Sequence, residues 1–271
     1  MIDLRGHTAL VTGSTQGVGQ AIALSLAESG ANVIIHGLEP TEEARETVKR
    51  CEAYGGQAWL ICADLAGPTT ECVKTLFQQA RDATDDIDIL VNNAGGYFDR
   101  PFLEMDYDAF ERTMRLNVYA YYFLAQQFAW HWVREGVHGR ILMTGSINGR
   151  LAEPVHSAYD TSKGAVEMMV KTLSVELAPH GIRVNGIAPG LFHTPLTAGA
   201  LDDPRVMRWM QLHTPNGVVP GANVCGEAAA YLVSDAAKHV HGHMLMVDGG
   251  MSIWQQPDVP SDYLKETNKN V

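Results

Sequence analysis

Tyr159 and Lys163 stand four residues apart in a segment of helical periodicity, and Ser146 precedes the tyrosine by thirteen. Residues at i and i+4 share one helix face, one turn apart. An ammonium beside a phenol favours the phenolate, drawing a group that ordinarily titrates near about pH 10 toward working pH. A tyrosine so tuned is an acid/base for interconverting a carbonyl and an alcohol, and the Ser146 hydroxyl could hold the oxygen of either. By itself the pair is ordinary, because tyrosine and lysine fall four apart on many helices by chance.

A second group of residues makes the pair significant. Thr12-Gly13-Ser14-Thr15-Gln16-Gly17-Val18-Gly19 follows an apolar run and opens a helical one. In such a turn the glycines let backbone approach a pyrophosphate, and the helix N-terminus points free N–H groups and its dipole at the negative charge. The turn contains no lysine, which excludes a phosphate-transferring P-loop. Strand ends of a sheet built this way converge on one crevice, so the cradle and the Tyr159–Lys163 pair belong to one site.

The elements that must position these residues read clearly. Apolar runs at 8–12, 32–36, 57–62, 87–91, 140–144, 182–187 and 244–247 predict strands buried on both faces. Amphipathic stretches at 18–29, 41–54, 68–84, 106–135, 157–179 and 224–234 predict helices between them. Repeated β-α units imply an α/β fold, a doubly wound parallel sheet of Rossmann type. The chain reads as a single domain, 1–253, followed by a polar tail, 254–271. The segment 189–221, rich in Pro, Gly and His, reads as irregular, and 191–216 within it as a lid over the substrate. The aromatic run Tyr119, Tyr121, Tyr122, Phe123, Phe128, Trp130 and Trp132 reads as core plus a subunit interface.

Composition narrows the function classes. With 46% hydrophobic and 19% charged residues over 271 positions, the chain can bury a sizeable core. A net charge of −11 disfavours nucleic acid and anionic membrane as partners. No apolar run approaches a membrane span, and the first residues do not read as a signal peptide. Cys51, Cys62, Cys72 and Cys225 form no C-x-x-C pair and read as reduced thiols of a cytoplasmic protein. No histidine spacing suggests a metal.

Taken together, these motifs resemble those of the short-chain dehydrogenase/reductase family across about residues 5–250. The resemblance implies a cofactor site made of Gly13, Thr15, Gln16, Gly17, Val18 and Gly19, with Asp64-Leu65 beside the adenine. Asn92-Asn93-Ala94-Gly95 matches the motif that supports the central sheet, and Asn93, Ala94 and Gly95 would line the crevice. Pro189-Gly190 matches the turn before the substrate loop, and Thr194 the residue that touches the nicotinamide carboxamide. Val247-Asp248-Gly249-Gly250 resembles the usual C-terminal end. Tyr159 would transfer the proton and Ser146 would stabilise the substrate oxygen. Lys163 would hold the nicotinamide ribose and pass protons onward through a water held at Asn117. The implied activity is hydride transfer between NAD or NADP and a small carbonyl or alcohol substrate, in a homotetramer.

Departures from the family pattern bear on specificity. Gly37 replaces the acid that NAD-using members usually carry at the end of the second strand, while Gln16 and Leu38 replace the arginines of NADP-using ones. Glu39 could accept from ribose hydroxyls and would repel a phosphate, which favours NAD. Asn148, Arg150 and His193 suggest a polar rim and hence a sugar, polyol or hydroxy acid. His156 and His213 are placed in rim loops, where surface or capping roles are the simpler reading. A 3-oxoacyl thioester reductase shares all the motifs. A non-catalytic dinucleotide sensor commonly lacks the tyrosine or lysine, and the intact Ser146, Tyr159 and Lys163 set argues against it.

Overall fold

The computed structural model describes residues 2–254. The polar tail expected at 254–271 therefore lies, apart from Trp254, outside the described residues. The chain runs β1 (Thr8–Val11), α1 (Gly17–Glu28), β2 (Asn32–Gly37), α2 (Glu42–Glu52), β3 (Ala58–Cys62), α3 (Thr69–Ala83) and β4 (Ile89–Asn92). It continues through α4 (Tyr107–Met114), a π turn at Arg115–Tyr119, α5 (Ala120–Glu135), β5 (Arg140–Thr144), α6 (Ser157–Leu177) and β6 (Arg183–Pro189). The last elements are α7 (Ala198–Leu201), α8 (Pro204–Leu212), α9 (Asn223–Val233) and β7 (Met244–Val247).

All seven strands pair in parallel, in the order β3-β2-β1-β4-β5-β6-β7. Alternate strand residues enter two separate cores, as a two-residue side-chain period requires. Leu10, Ile34, Leu90 and Ile141 pack with α3, α5 and α6, whereas Val11, Ile35, Val91 and Leu142 pack with α1 and α9. Strand order reverses between β1 and β4, and it is outside the strand ends at such a reversal that a ligand crevice opens.

Three expectations change. The long helix at 106–135 is interrupted: Asp106 caps α4 by accepting from the Ala109 amide, and a π turn at Arg115–Tyr119 separates it from α5. A π turn widens the helix and spoils the i→i+4 ladder locally, often at functional sites, and this one carries Asn117. The fourth strand starts at Ile89, later than the expected 87, because Ile87 and Asp88 turn into it and Asp88 ties to His7 and the Thr8 amide instead. The segment 189–221 is not irregular throughout, since it holds α7 and α8. Asp203 accepts from the Arg205 amide and Pro204 opens α8, an N-cap and first-turn proline that the sequence displays.

Candidate active site

The glycine turn is built by a network around its backbone. Thr12 Oγ1 accepts from the amides of Asn93 and Ala94 at 2.8 and 3.0 Å, joining the ends of β1 and β4. Asn93 Nδ2 donates back to the carbonyls of Thr12 and Gly13 at 3.0 and 3.1 Å. Gly13 has φ +62°, and a β-carbon there would stand 2.7 Å from Ala94 Cα. One at Gly19 would overlap the Gly13 carbonyl oxygen and Asn93 Nδ2. Only glycine fits these two places. Gln16 is the exposed N-cap residue of α1 but makes no side-chain cap, and no acid occupies the first turn. The first amides of α1 thus lack a side-chain partner, which leaves them able to bind an anion. The residues present fit a dinucleotide pyrophosphate.

His36 is the component that sequence reasoning missed. It lies buried at the end of β2, where its Nδ1 accepts from the Gly13 amide at 3.1 Å. Its Nε2 faces the Ala63 carbonyl at 3.1 Å and so carries the proton. Burial pushes the imidazole down to about 4, so it is neutral and holds the turn to β3. A polar residue inside an apolar strand was the one available signal.

Across the crevice, Thr194 lies over Gly17, 3.8 Å from where a β-carbon would be, and the Gly190 amide donates to the Val247 carbonyl at the end of β6. Thr15 passes under α1, its carbonyl accepting from Gln20 Nε2, and Val18 packs against the core. Asp64 is exposed and receives the Ala66 amide at 2.9 Å. Leu65 is not aimed at an adenine: its side chain enters the core beneath α3, leaving only its backbone for a ligand.

Ser146, Tyr159 and Lys163 come together at the ends of β5 and α6. The Ser146 hydroxyl faces that of Tyr159 and favours its ionised form, but burial is larger and pushes the phenol up to about 12. Lys163 is buried, 5.5 Å from the Tyr159 ring, and its Nζ donates to the Thr144 carbonyl at 2.9 Å. Desolvation lowers the ammonium to about 8. The downward pull of Lys163 expected from the sequence does not decide the outcome: the net shift on the phenol is upward, with burial its largest cause. The ammonium is itself stripped of water and cannot offset burial of the phenol. A phenol held protonated keeps in place the proton that carbonyl reduction needs, and a lysine near 8 exchanges protons near neutral pH.

Asn117 is wholly buried, its Oδ1 accepting from the Gly96 amide and its Nδ2 donating to the Gly96 carbonyl and Ser162 Oγ. Its side chain is thus spent on shaping the Gly95-Gly96 floor. Gly95 lies over both Asn117 and Lys163, a β-carbon there falling 3.2 Å from Asn117 Oδ1 and 3.6 Å from Nζ.

The rim is less free than its sequence suggested. Asn148 donates to Asp160 at 2.9 Å, and Arg150 Nε pairs with both oxygens of Glu167. His193 faces Asp202, while His213 stacks on Trp209 with ring centroids 3.7 Å apart.

Residues 13–252 match the family model described as enoyl-(acyl carrier protein) reductase. The 3beta-hydroxysteroid dehydrogenase 1 of Eggerthella lenta is 36% identical over 93% of this chain and 96% of its own length. The L-rhamnose 1-dehydrogenase (NAD(P)(+)) of a Sphingomonas species is 32% identical over 92% of this chain and 98% of its own. Among solved structures, a gluconate 5-dehydrogenase of Burkholderia cenocepacia in complex with NADP and tartrate superposes with a TM-score of 0.86. It is 34% identical and covers 94% of this chain and 98% of its own.

Proposed function

The chain belongs to the short-chain dehydrogenase/reductase family and is an NAD(P)-dependent oxidoreductase acting on secondary alcohols and ketones, and on that premise we propose that its substrate is a sugar or polyol. The observation that carries the reading is the convergence of Ser146, Tyr159 and Lys163 beside the glycine cradle. Relatives named for activity on L-rhamnose, glucose and 5-keto-D-gluconate support the substrate class. The dinucleotide supplies hydride chemistry when bound. Gly13, Thr15, Gln16, Gly17, Val18 and Gly19 hold its pyrophosphate, with Asp64, the Leu65 backbone, Asn93, Ala94, Gly95, Pro189, Gly190 and Thr194 along the crevice. Ser146 fixes the substrate oxygen as charge develops on it. Tyr159 gives that oxygen a proton in reduction and takes it in oxidation. Lys163 holds ribose hydroxyls with its remaining N–H donors and exchanges protons with water held by the Asn117 backbone.

NAD is the favoured cofactor. A β-carbon at Gly37 would stand 2.6 Å from Thr15 Cγ2, so a side chain there would have to displace that methyl, and Glu39, two residues on, is the acid left to meet the ribose. The opposing group is Arg45, on α2, close enough to act with Glu39 on the Cys62 thiol. One screen tests substrate and cofactor together: aldoses, polyols, aldonates and acyl thioesters, each with NAD and NADP, followed by nicotinamide absorbance. Turnover of a polyol or aldose with higher kcat/KM for NAD is expected. Turnover confined to thioesters would replace the substrate reading. A tenfold preference for NADP, about 1.4 kcal/mol, would overturn the cofactor reading and assign the extra phosphate to Arg45.

The assembly we propose is a homotetramer in the cytoplasm. No helix among the described residues is long and apolar enough to cross a membrane. On α5, Tyr121, Phe128 and Trp132 are core, whereas Tyr122, Phe123 and Trp130 face outward, as do Met168 and Val175 on α6. Aromatic faces of this kind are normally covered by a symmetric copy. Light scattering at micromolar concentration is expected to read about four chain masses. A mass of one chain would rule the assembly out.

A further inference from the structure

At the mouth of the crevice two rings that lie outside the motifs assigned above, those of Tyr97 and His156, pack on Tyr159. Tyr97, in the loop after β4, meets the Tyr159 ring edge to face at 5.8 Å and the His156 ring at 5.4 Å. The His156 and Tyr159 rings are themselves 6.0 Å apart, so the three pack pairwise. One side of the cluster is anchored. His156 Nδ1 stands 2.5 Å from Asp99 Oδ1, and its Nε2 lies 3.5 Å from Glu153 Oε2. Val155, just before it, has φ +65°, a conformation that a β-branched residue adopts only under constraint. Its carbonyl accepts from the Arg100 amide at 3.2 Å. The other side reaches the substrate loop, because the Tyr97 hydroxyl donates to the Leu196 carbonyl at 3.1 Å, immediately before α7.

We propose that Tyr97 is a positioning residue for the reaction: its ring sets Tyr159, and its hydroxyl ties that setting to the seating of the loop 191–216. The inference rests on the hydride-transfer reading of the site. A proton passes efficiently only if the phenol is held within hydrogen-bond reach of the substrate oxygen, and small misplacements are costly. Ser146 meets the hydroxyl end of Tyr159, and Lys163 Nζ stands 5.5 Å from the centre of its ring. Its exposed edge is met by Tyr97 and His156. The loop is therefore in register with the phenol through a single side chain. The titratable and charged groups around Tyr159 are Lys163 and Tyr121 on the inner side, Asp160 on its own helix, and Tyr97, His156, Asp99 and Glu153 outward.

Two variants separate the functions of ring and hydroxyl. Tyr97→Phe keeps the ring and removes the bond to Leu196. It is expected to raise KM for the alcohol about fivefold, the scale of one lost hydrogen bond, and to speed amide deuterium exchange across 197–201. Tyr97→Leu removes both and is expected in addition to lower kcat at least about tenfold. It should also move the alkaline-activation limb of alcohol oxidation to lower pH, because water readmitted beside Tyr159 eases its ionisation. A role confined to stability would leave that limb in place. Parent-like KM and exchange in the phenylalanine variant, or an unmoved limb in the leucine variant, would overturn the proposal. A parent enzyme that oxidises no alcohol would refute the hydride-transfer reading. The exchange comparison, made without substrate, would still decide the latch.

Discussion

Tyr159→Phe is expected to abolish turnover, lowering kcat by about a thousandfold, the scale of a lost general acid, while dinucleotide affinity stays within severalfold of the parent. The substitution removes one oxygen and keeps the ring that packs on Tyr97, His156 and Lys163. The Lys163 bond to the Thr144 carbonyl and the glycine cradle do not depend on that oxygen. The variant should therefore melt with the parent and still quench its fluorescence on titration with reduced cofactor. In the parent, alcohol oxidation should rise with pH and carbonyl reduction should fall. Oxidation needs the phenolate, and burial holds Tyr159 in the protonated form, up to about 12. A phenylalanine variant that retains most of the parent kcat would remove Tyr159 from the mechanism.

The other large effect is expected at Gly19. A methyl group there overlaps the Gly13 carbonyl oxygen and the Asn93 amide nitrogen that donates to it. Neither neighbour is the free end of a flexible chain. The carbonyl belongs to a turn tied to His36, and Asn93 is held by Thr12. Gly19→Ala should push the turn off α1 and weaken dinucleotide binding at least about 100-fold, or roughly 2.7 kcal/mol. Gly136→Ala is the control. Gly136 closes α5 at φ +71° with nothing within 4 Å of an added β-carbon, so that variant should lose a little stability and no affinity. Parent-like affinity in Gly19→Ala would show that the turn yields, and the cradle would then not be rigid.

Much of this was legible in sequence because the signals are local. The strands read as unbroken apolar runs since both faces are buried, and Ala9, Leu10 and Val11 divide between two cores accordingly. The glycine turn reads from spacing because backbone approach is a property of residues lacking a β-carbon. Asp203-Pro204 carried a helix start that the abundance of proline and glycine around it obscured, and α8 was missed for that reason. The π turn at Asn117 left no comparable mark, since it depends on how α4 and α5 meet the Gly96 floor.

By itself, then, the chain's order of residues determined the parallel α/β architecture, the cradle, and the placing of Tyr159 and Lys163 on one helix face. Each of these follows from contacts along a few residues or from a repeating period. Tertiary structure alone decided the protonation of His36, the opposed shifts on Tyr159 and Lys163, the engagement of Asn148 and Arg150 by internal carboxylates, and the seat of Tyr97 between Tyr159 and Leu196. Those outcomes depend on burial and on distances between residues far apart in the chain. Desolvation and pairing act through space, so they are set only when the sheet has brought β1, β4, β5 and the substrate loop to one edge.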